Sequence, residues 1–197
     1  MSEQRQSRIQ RQTSETNIDL TLVIDGAGES RIDTGVGFFD HMLTAFSRHG
    51  LFDLNLTCKG DLEVDPHHTV EDVGICLGQA VAEALGDKAG IVRFGSAYVP
   101  MDEALARAVI DLSGRAYLNL QAAFVDETVG GLPVALVPEF FRAVADNARM
   151  NLHLDLLRGT NDHHSIEAVF KATGRALDTA TRLSERVQGV LSTKGTL

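Results

Sequence analysis

The chain has 197 residues, 44% hydrophobic and 23% charged, enough to bury a sizeable core and too apolar for a disordered chain. A net charge of -9, from 27 acidic and 18 basic residues, disfavours nucleic acid as a partner, because phosphate backbones are held by clustered Lys and Arg. No apolar run approaches the roughly 20 residues needed to span a bilayer, and no apolar stretch follows the polar residues 1–11. Cys58 and Cys76 lack metal spacing, so a reducing cytoplasm is the expected location.

Along the chain, residues 18–25 alternate like a strand and run into a turn at Gly26. Residues 38–48 read as a short helix with one apolar face, and residues 50–56 as another strand. Asp65-Pro66 then opens a long amphipathic helix that begins His67-His68-Thr69-Val70-Glu71. The pattern returns in the second half. Residues 104–111 alternate and turn at Gly114, residues 138–148 read as a helix, and residues 149–154 as a strand. Asn161-Asp162 then opens a helix that begins His163-His164-Ser165-Ile166-Glu167, 96 residues after the first copy.

The strands before the motifs are offset by 98 or 99 residues, a slip that loops absorb. We expect one domain over 1–197 made of two repeats, roughly 8–90 and 91–190. Each repeat reads strand-strand-helix-strand-helix, which predicts an α+β fold with helices packed together between two sheets.

One His-His-x-x-Glu is a weak signal, and duplication can copy an accident. The geometry strengthens it. Residues four apart on a helix share a face and adjacent ones point about 100° apart, so His67 and Glu71 can share one ion while His68 turns elsewhere. The same holds for His163, Glu167 and His164. If the halves meet about a pseudo-twofold axis, one ion takes His67, Glu71 and His164, and the other His163, Glu167 and His68.

His41 is the candidate fourth ligand for the second ion. A shift of 98 from it lands on Glu139, the matching candidate for the first, with His153 as its rival. The partial positive charge of a helix N-terminus works against a cation there, and the carboxylates must offset it. Imidazole and carboxylate together suit manganese, iron, nickel or zinc. Taken singly, His49 or His153 is more often a surface or core residue than a ligand.

Several segments in order resemble the imidazoleglycerol-phosphate dehydratase family of histidine biosynthesis. They are Arg-Gln-Thr-Ser-Glu-Thr at 11–16, Asp-Thr-Gly-Val-Gly-Phe-Phe-Asp-His-Met-Leu at 33–43 and Asp-Pro-His-His-Thr-Val-Glu-Asp at 65–72. Pro-Met-Asp-Glu at 100–103, Asp-Leu-Ser-Gly-Arg at 111–115, the second motif at 161–167 and Ser-Thr-Lys-Gly at 192–195 continue the match. Leu191 stands where the family commonly has Pro, and some relatives carry His at the position of Glu139.

The resemblance implies a ribosomal protein S5 domain 2-like fold and a cytoplasmic homo-oligomer of about 24 subunits with sites between chains. It also implies two Mn2+ per active site and dehydration of imidazoleglycerol phosphate to imidazole acetol phosphate. The ligand set it implies is His41, His67, His68, Glu71, Glu139, His163, His164 and Glu167. Of these, His67, Glu71, His163 and Glu167 stand at the catalytic centre with Glu15 as acid/base. Arg93, Arg115, Ser192 and Lys194 match phosphate-contacting positions, and His41 and His49 complete the substrate-binding set.

The chemistry suits a duplicated site. The substrate carbon that loses its proton has no carbonyl to acidify it, whereas two metals, one on each ring nitrogen, stabilise an imidazolate whose electrons expel the hydroxyl. A dimetal phosphate-ester hydrolase is the rival reading, and it would release inorganic phosphate.

Overall fold

The computed structural model describes residues 4–197. A hairpin of β1 (Gln6–Gln12) and β2 (Thr16–Val23) is followed by β3 (Ser30–Asp33), α1 (Gly37–Gly50), β4 (Asp53–Gly60) and α2 (His67–Leu85). The second half opens with β5 (Phe94–Met101), β6 (Ala104–Asp111) and β7 (Tyr117–Gln121). A ribbon of β8 (Thr128–Val129) and β9 (Leu132–Pro133) is inserted next. The order then resumes with α3 (Leu136–Ala148), β10 (Asn151–Arg158) and α4 (Asp162–Thr181). Apart from the inserted ribbon, each half thus carries one strand more before its first helix than the alternation predicts. The added strands are short or polar edges whose sequences carry little burial signal.

The two sheets have matching topology, β1-β2-β4-β3 and β5-β6-β10-β7. In each, the first three strands are antiparallel and the last pair is parallel, the crossover running through α1 or α3. Alternation decides which face is covered. Ile18, Leu20 and Leu22 of β2, and Ala104, Ala106, Ala108 and Ile110 of β6, are buried beneath the helices.

Helices α1 and α2 cover the first sheet, and α3 and α4 the second. The helix layers then meet crosswise, α1 against α4 and α2 against α3, giving a sheet-helix-helix-sheet stack. At its centre Phe39, Phe140, Phe141 and Phe170 pack ring on ring, with centroids 4.8 to 5.3 Å apart. Each such burial stabilises by about 1.5–3 kcal/mol, so the aromatic cluster does much to hold the halves together.

The partner helices run side by side in the same direction. Gly174 of α4 lies against Phe46 and Gly50 of α1, while nearer their starts Glu167 lies beside His41. Gly74 and Gly78 of α2 make the corresponding approach to Phe140, Ala143 and Val144 of α3. The first turns of both pairs therefore sit together, which is what positions the site.

Helix α1 ends later than the pattern predicts. Leu51 takes the left-handed conformation (φ 58°) and donates its N–H to the Ser47 carbonyl, so the following strand begins at Asp53 rather than Gly50.

Candidate active site

The repeated motifs open α2 and α4 as expected. Asp65 Oδ1 accepts the His67 N–H at 2.6 Å, and Asn161 Oδ1 caps α4 through the His164 N–H at 3.3 Å. The third residue of each motif, Thr69 or Ser165, is fully buried, so it seats the helix start on the sheet. Helix α1 starts from a loop tied by Asp40, whose carboxylate accepts the Thr34 N–H at 3.0 Å and the Thr34 hydroxyl at 2.6 Å.

Among the described residues one group of three potential ligands forms, His41, His163 and Glu167, with donor atoms all within 4.8 Å of one another. Both imidazoles present Nε2 to Glu167 Oε2 at 3.3 Å, while Lys171 holds Oε1 at 2.5 Å from the next turn of α4. Phe38 meets the His163 ring edge-on with centroids 5.0 Å apart, closing the apolar side. Burial alone would raise the Glu167 carboxyl, but Lys171 and then His41 outweigh it and hold the group below its ordinary value. Ligand atoms about 2.0–2.2 Å from an ion lie about 3 Å apart when adjacent, so the 3.3 Å from each imidazole nitrogen to the shared carboxylate oxygen is a spacing that suits a divalent transition metal.

The first repeat offers a looser counterpart. His67 Nε2 lies 3.7 Å from Glu71 Oε2, and Glu139 stands in the first turn of the adjacent α3 with its carboxylate 3.5 Å from Arg142 Nε. Glu139 thus occupies in α3 the place that His41 occupies in α1. His153 does not compete from within the chain. It lies on the face of β10 away from the helices, beside Tyr117 at 5.6 Å.

His68 and His164 do not join these groups inside one chain. His68 Nδ1 is 3.0 Å from Asp61 Oδ2 and its Nε2 is 3.7 Å from Glu15 Oε1. His164 Nδ1 is 2.8 Å from Glu103 Oε2 and its Nε2 is 3.9 Å from Asp102 Oδ2. The hydrogen bonds from Asp61 and Glu103 raise the two imidazoles above their ordinary value, and His164 in turn holds Glu103 down to about 2. The motif spacing gives no sign of Asp61, Asp102 or Glu103, although the last two sit in the segment 100–103. Lys171 was findable four residues after Glu167.

Glu15 sits in the β1–β2 turn, where Thr13 Oγ1 accepts its N–H at 3.1 Å and that of Thr16 at 3.0 Å. Arg11 and the Thr16 hydroxyl, the latter at 2.6 Å, both bind the buried carboxylate of Asp72 on α2. Two residues of the 11–16 segment are therefore anchors, and their work is to carry Glu15 to His68.

Arg93 has a positive φ of 73° and is held by Asp111 at 2.7 Å and the Leu191 carbonyl at 2.7 Å. It shares with Arg186, Ser192 and Thr193 a groove of about 540 Å³. Lys194 is adjacent, its N–H donating to Ser192 Oγ at 3.2 Å. Arg115 lies beyond β6 with its guanidinium on the Ser113 carbonyl at 3.4 Å. The groove's lining includes none of the ligand candidates. His49 lies near the end of α1, its imidazole pushed down by burial and by Lys171 and Arg175 of α4.

A family model described as imidazoleglycerol-phosphate dehydratase matches residues 34–177. A protein of that name from Acetivibrio thermocellus is 59% identical over 193 residues, covering 98% of this chain and 99% of its own. One from Bacillus subtilis is 58% identical over 187 residues, covering 95% and 96%. The crystal structure of imidazoleglycerol-phosphate dehydratase from Staphylococcus aureus aligns with TM-score 0.82 at 46% identity, over 91% of this chain and 99% of that one. The Pyrococcus furiosus structure aligns with TM-score 0.83 at 40% identity, over 96% and 100%. With a family match spanning most of its length and relatives near 60% identity, the chain belongs to the imidazoleglycerol-phosphate dehydratase family.

Proposed function

We propose that the chain dehydrates imidazoleglycerol phosphate to imidazole acetol phosphate in histidine biosynthesis, at a centre that takes two Mn2+ and is completed between copies of the chain. The observation that carries this is the meeting of His41, His163 and Glu167 where two helix starts from different repeats adjoin. By repeat correspondence His67, Glu71 and Glu139 hold the other ion, with His68 and His164 joining from a neighbour. When bound, the ions supply Lewis-acid polarisation of the substrate's ring nitrogens.

The protein's own groups supply the rest. Elimination needs one proton delivered to the departing hydroxyl and one taken from the neighbouring carbon, after which the enol becomes the ketone. A single carboxyl can do both in turn. Glu15, carried on a turn tied by Thr13, Thr16 and Asp72 with its Oε1 3.7 Å from His68 Nε2, takes that role in this proposal. Arg93, Arg115 and Lys194 with the Ser192 hydroxyl are the groups that would neutralise the phosphate, cationic donors on a chain of net charge -9. His49 is the remaining substrate contact in this reading.

The chain reads as one domain of two repeats, 8–90 and 91–190. Sites shared between copies favour a closed homo-oligomer, and about 24 subunits is the number the family resemblance implies. Two buried free thiols suit a reducing cytoplasm.

The test is to strip metal from the full-length protein, restore Mn2+ or Zn2+, and follow keto-product and inorganic phosphate separately. Near-complete loss and manganese-dependent recovery of the keto product is expected. Phosphate release without keto product would establish the hydrolase instead.

A further inference from the structure

Each motif's second histidine carries a carboxylate on Nδ1. Asp61 Oδ2 lies 3.0 Å from Nδ1 of His68, and Glu103 Oε2 lies 2.8 Å from Nδ1 of His164. The first histidines differ, reaching Glu71 and Glu167 through Nε2. An ionised carboxylate only accepts, so each Nδ1 must donate, and a neutral imidazole is then left with its lone pair on Nε2.

The two carboxylates are not copies of each other. Asp61 directly follows β4, where the repeat offset is 98 or 99, and those shifts land on Gly159 or Thr160. Glu103 comes from the β5–β6 turn of the other sheet. Unrelated positions supplying the same contact to equivalent histidines are not explained by inheritance through duplication. They are explained by a requirement at Nδ1 that each half met separately.

We infer that Asp61 and Glu103 are positioning residues that fix the tautomer and orientation of His68 and His164, so that each presents Nε2 to a metal ion. Carboxylates in this relation to ligating histidines govern how well an ion is held. The inference rests on the metal-centre reading above.

Glu103 also has a scaffold duty, Oε1 accepting the backbone N–H groups of Thr160 at 3.2 Å and Asn161 at 2.9 Å. E103Q separates the two roles. Its amide oxygen still accepts both N–H groups, but its amide nitrogen faces His164 Nδ1 as a donor, which forces the ring proton onto Nε2 and blocks ligation there. At Asp61 both carboxylate oxygens face His68 Nδ1, at 3.2 and 3.0 Å, so an amide can turn its own oxygen to the ring; D61A is the variant that removes the acceptor from His68.

The experiment titrates metal-stripped full-length protein with Mn2+ alone, reading free ion by its electron paramagnetic resonance signal, alongside thermal melts of the stripped proteins. Each variant is expected to hold one class of Mn2+ about 10–100-fold more weakly, with the stripped melting temperature unchanged and E103D binding more tightly than E103Q. Wild-type affinity in both variants, or weakening matched by loss of thermal stability, would overturn the inference while leaving the metal centre standing. Failure of the wild-type protein to take up Mn2+ would overturn the centre and the inference together.

Discussion

Cys58 and Cys76 face the core from β4 and α2, and burial pushes each thiol up to about 11. Neither is in a disulfide, and a thiol that stays protonated is a poor nucleophile. The folded value lies above the unfolded one of about 8.5, so below that pH both states are protonated and stability is indifferent to these groups. Above it the unfolded chain releases protons that the native state keeps. Stability therefore falls as pH rises toward 11, by on the order of 1 kcal/mol per thiol per pH unit. Urea melts of the full protein should shift to lower midpoints between pH 8 and pH 10, and a double C58A/C76A variant should lose most of that slope. Native protein should resist alkylation at pH 8 and react on unfolding. Fast labelling of both cysteines in native protein would contradict the burial.

At the level of elements, the close helix pairs depend on glycines, Gly74 and Gly78 where α2 meets α3 and Gly174 where α4 meets α1. A Cβ on Gly78 would stand 2.7 Å from the Val144 carbonyl oxygen, and one on Gly174 would strike the Phe46 carbonyl oxygen. Backbone cannot step aside as a side chain can. Gly78→Ala and Gly174→Ala should each cost about 1–3 kcal/mol in urea unfolding. Gly37→Ala, where a Cβ meets nothing within 4 Å, should be close to neutral. Equal stability of all three would mean that the helices are less tightly joined than the stack requires. Gly78 and Gly174 are themselves 96 residues apart, so the same repeat that reveals the motifs also marks where the helices touch. That periodicity made the helices, the central strands and the His41–His163–Glu167 group legible from sequence, because each of those ligands rides on a strongly patterned helix start. The edges were not legible. β1 has Ile9 as its one buried residue, and β3 has none, so alternation against a core leaves almost no trace in them. Asp61 and Glu103 escaped for a different reason. Only the sheet brings residue 103 to residue 164, and no helical spacing links them.

For the whole molecule, the decisive question is whether a working centre belongs to one chain or two. Within a chain, His68 stands with Asp61 and Glu15, His164 with Glu103 and Asp102, and neither imidazole reaches the His41–His163–Glu167 group. In the two-chain arrangement, a site combines the first motif of one subunit with the second motif of another. Glu71→Gln damages every site in its own oligomer, and Glu167→Gln does likewise. Co-expression changes the outcome. A site that draws its first motif from the Glu167→Gln subunit and its second from the Glu71→Gln subunit contains both native carboxylates. Random assembly at equal dose would make about one quarter of the sites intact, so the mixed oligomer should recover up to about that share of wild-type keto-product formation. Sites built within single chains predict no recovery at any mixing ratio, because every chain then carries its own lesion. Mixing two separately tagged wild-type chains and recovering both through one tag supplies the control for subunit exchange. Co-purified mixed oligomers that remain inactive would return the centre to the single chain, where His68 and His164 would have to move out of their present contacts to reach an ion.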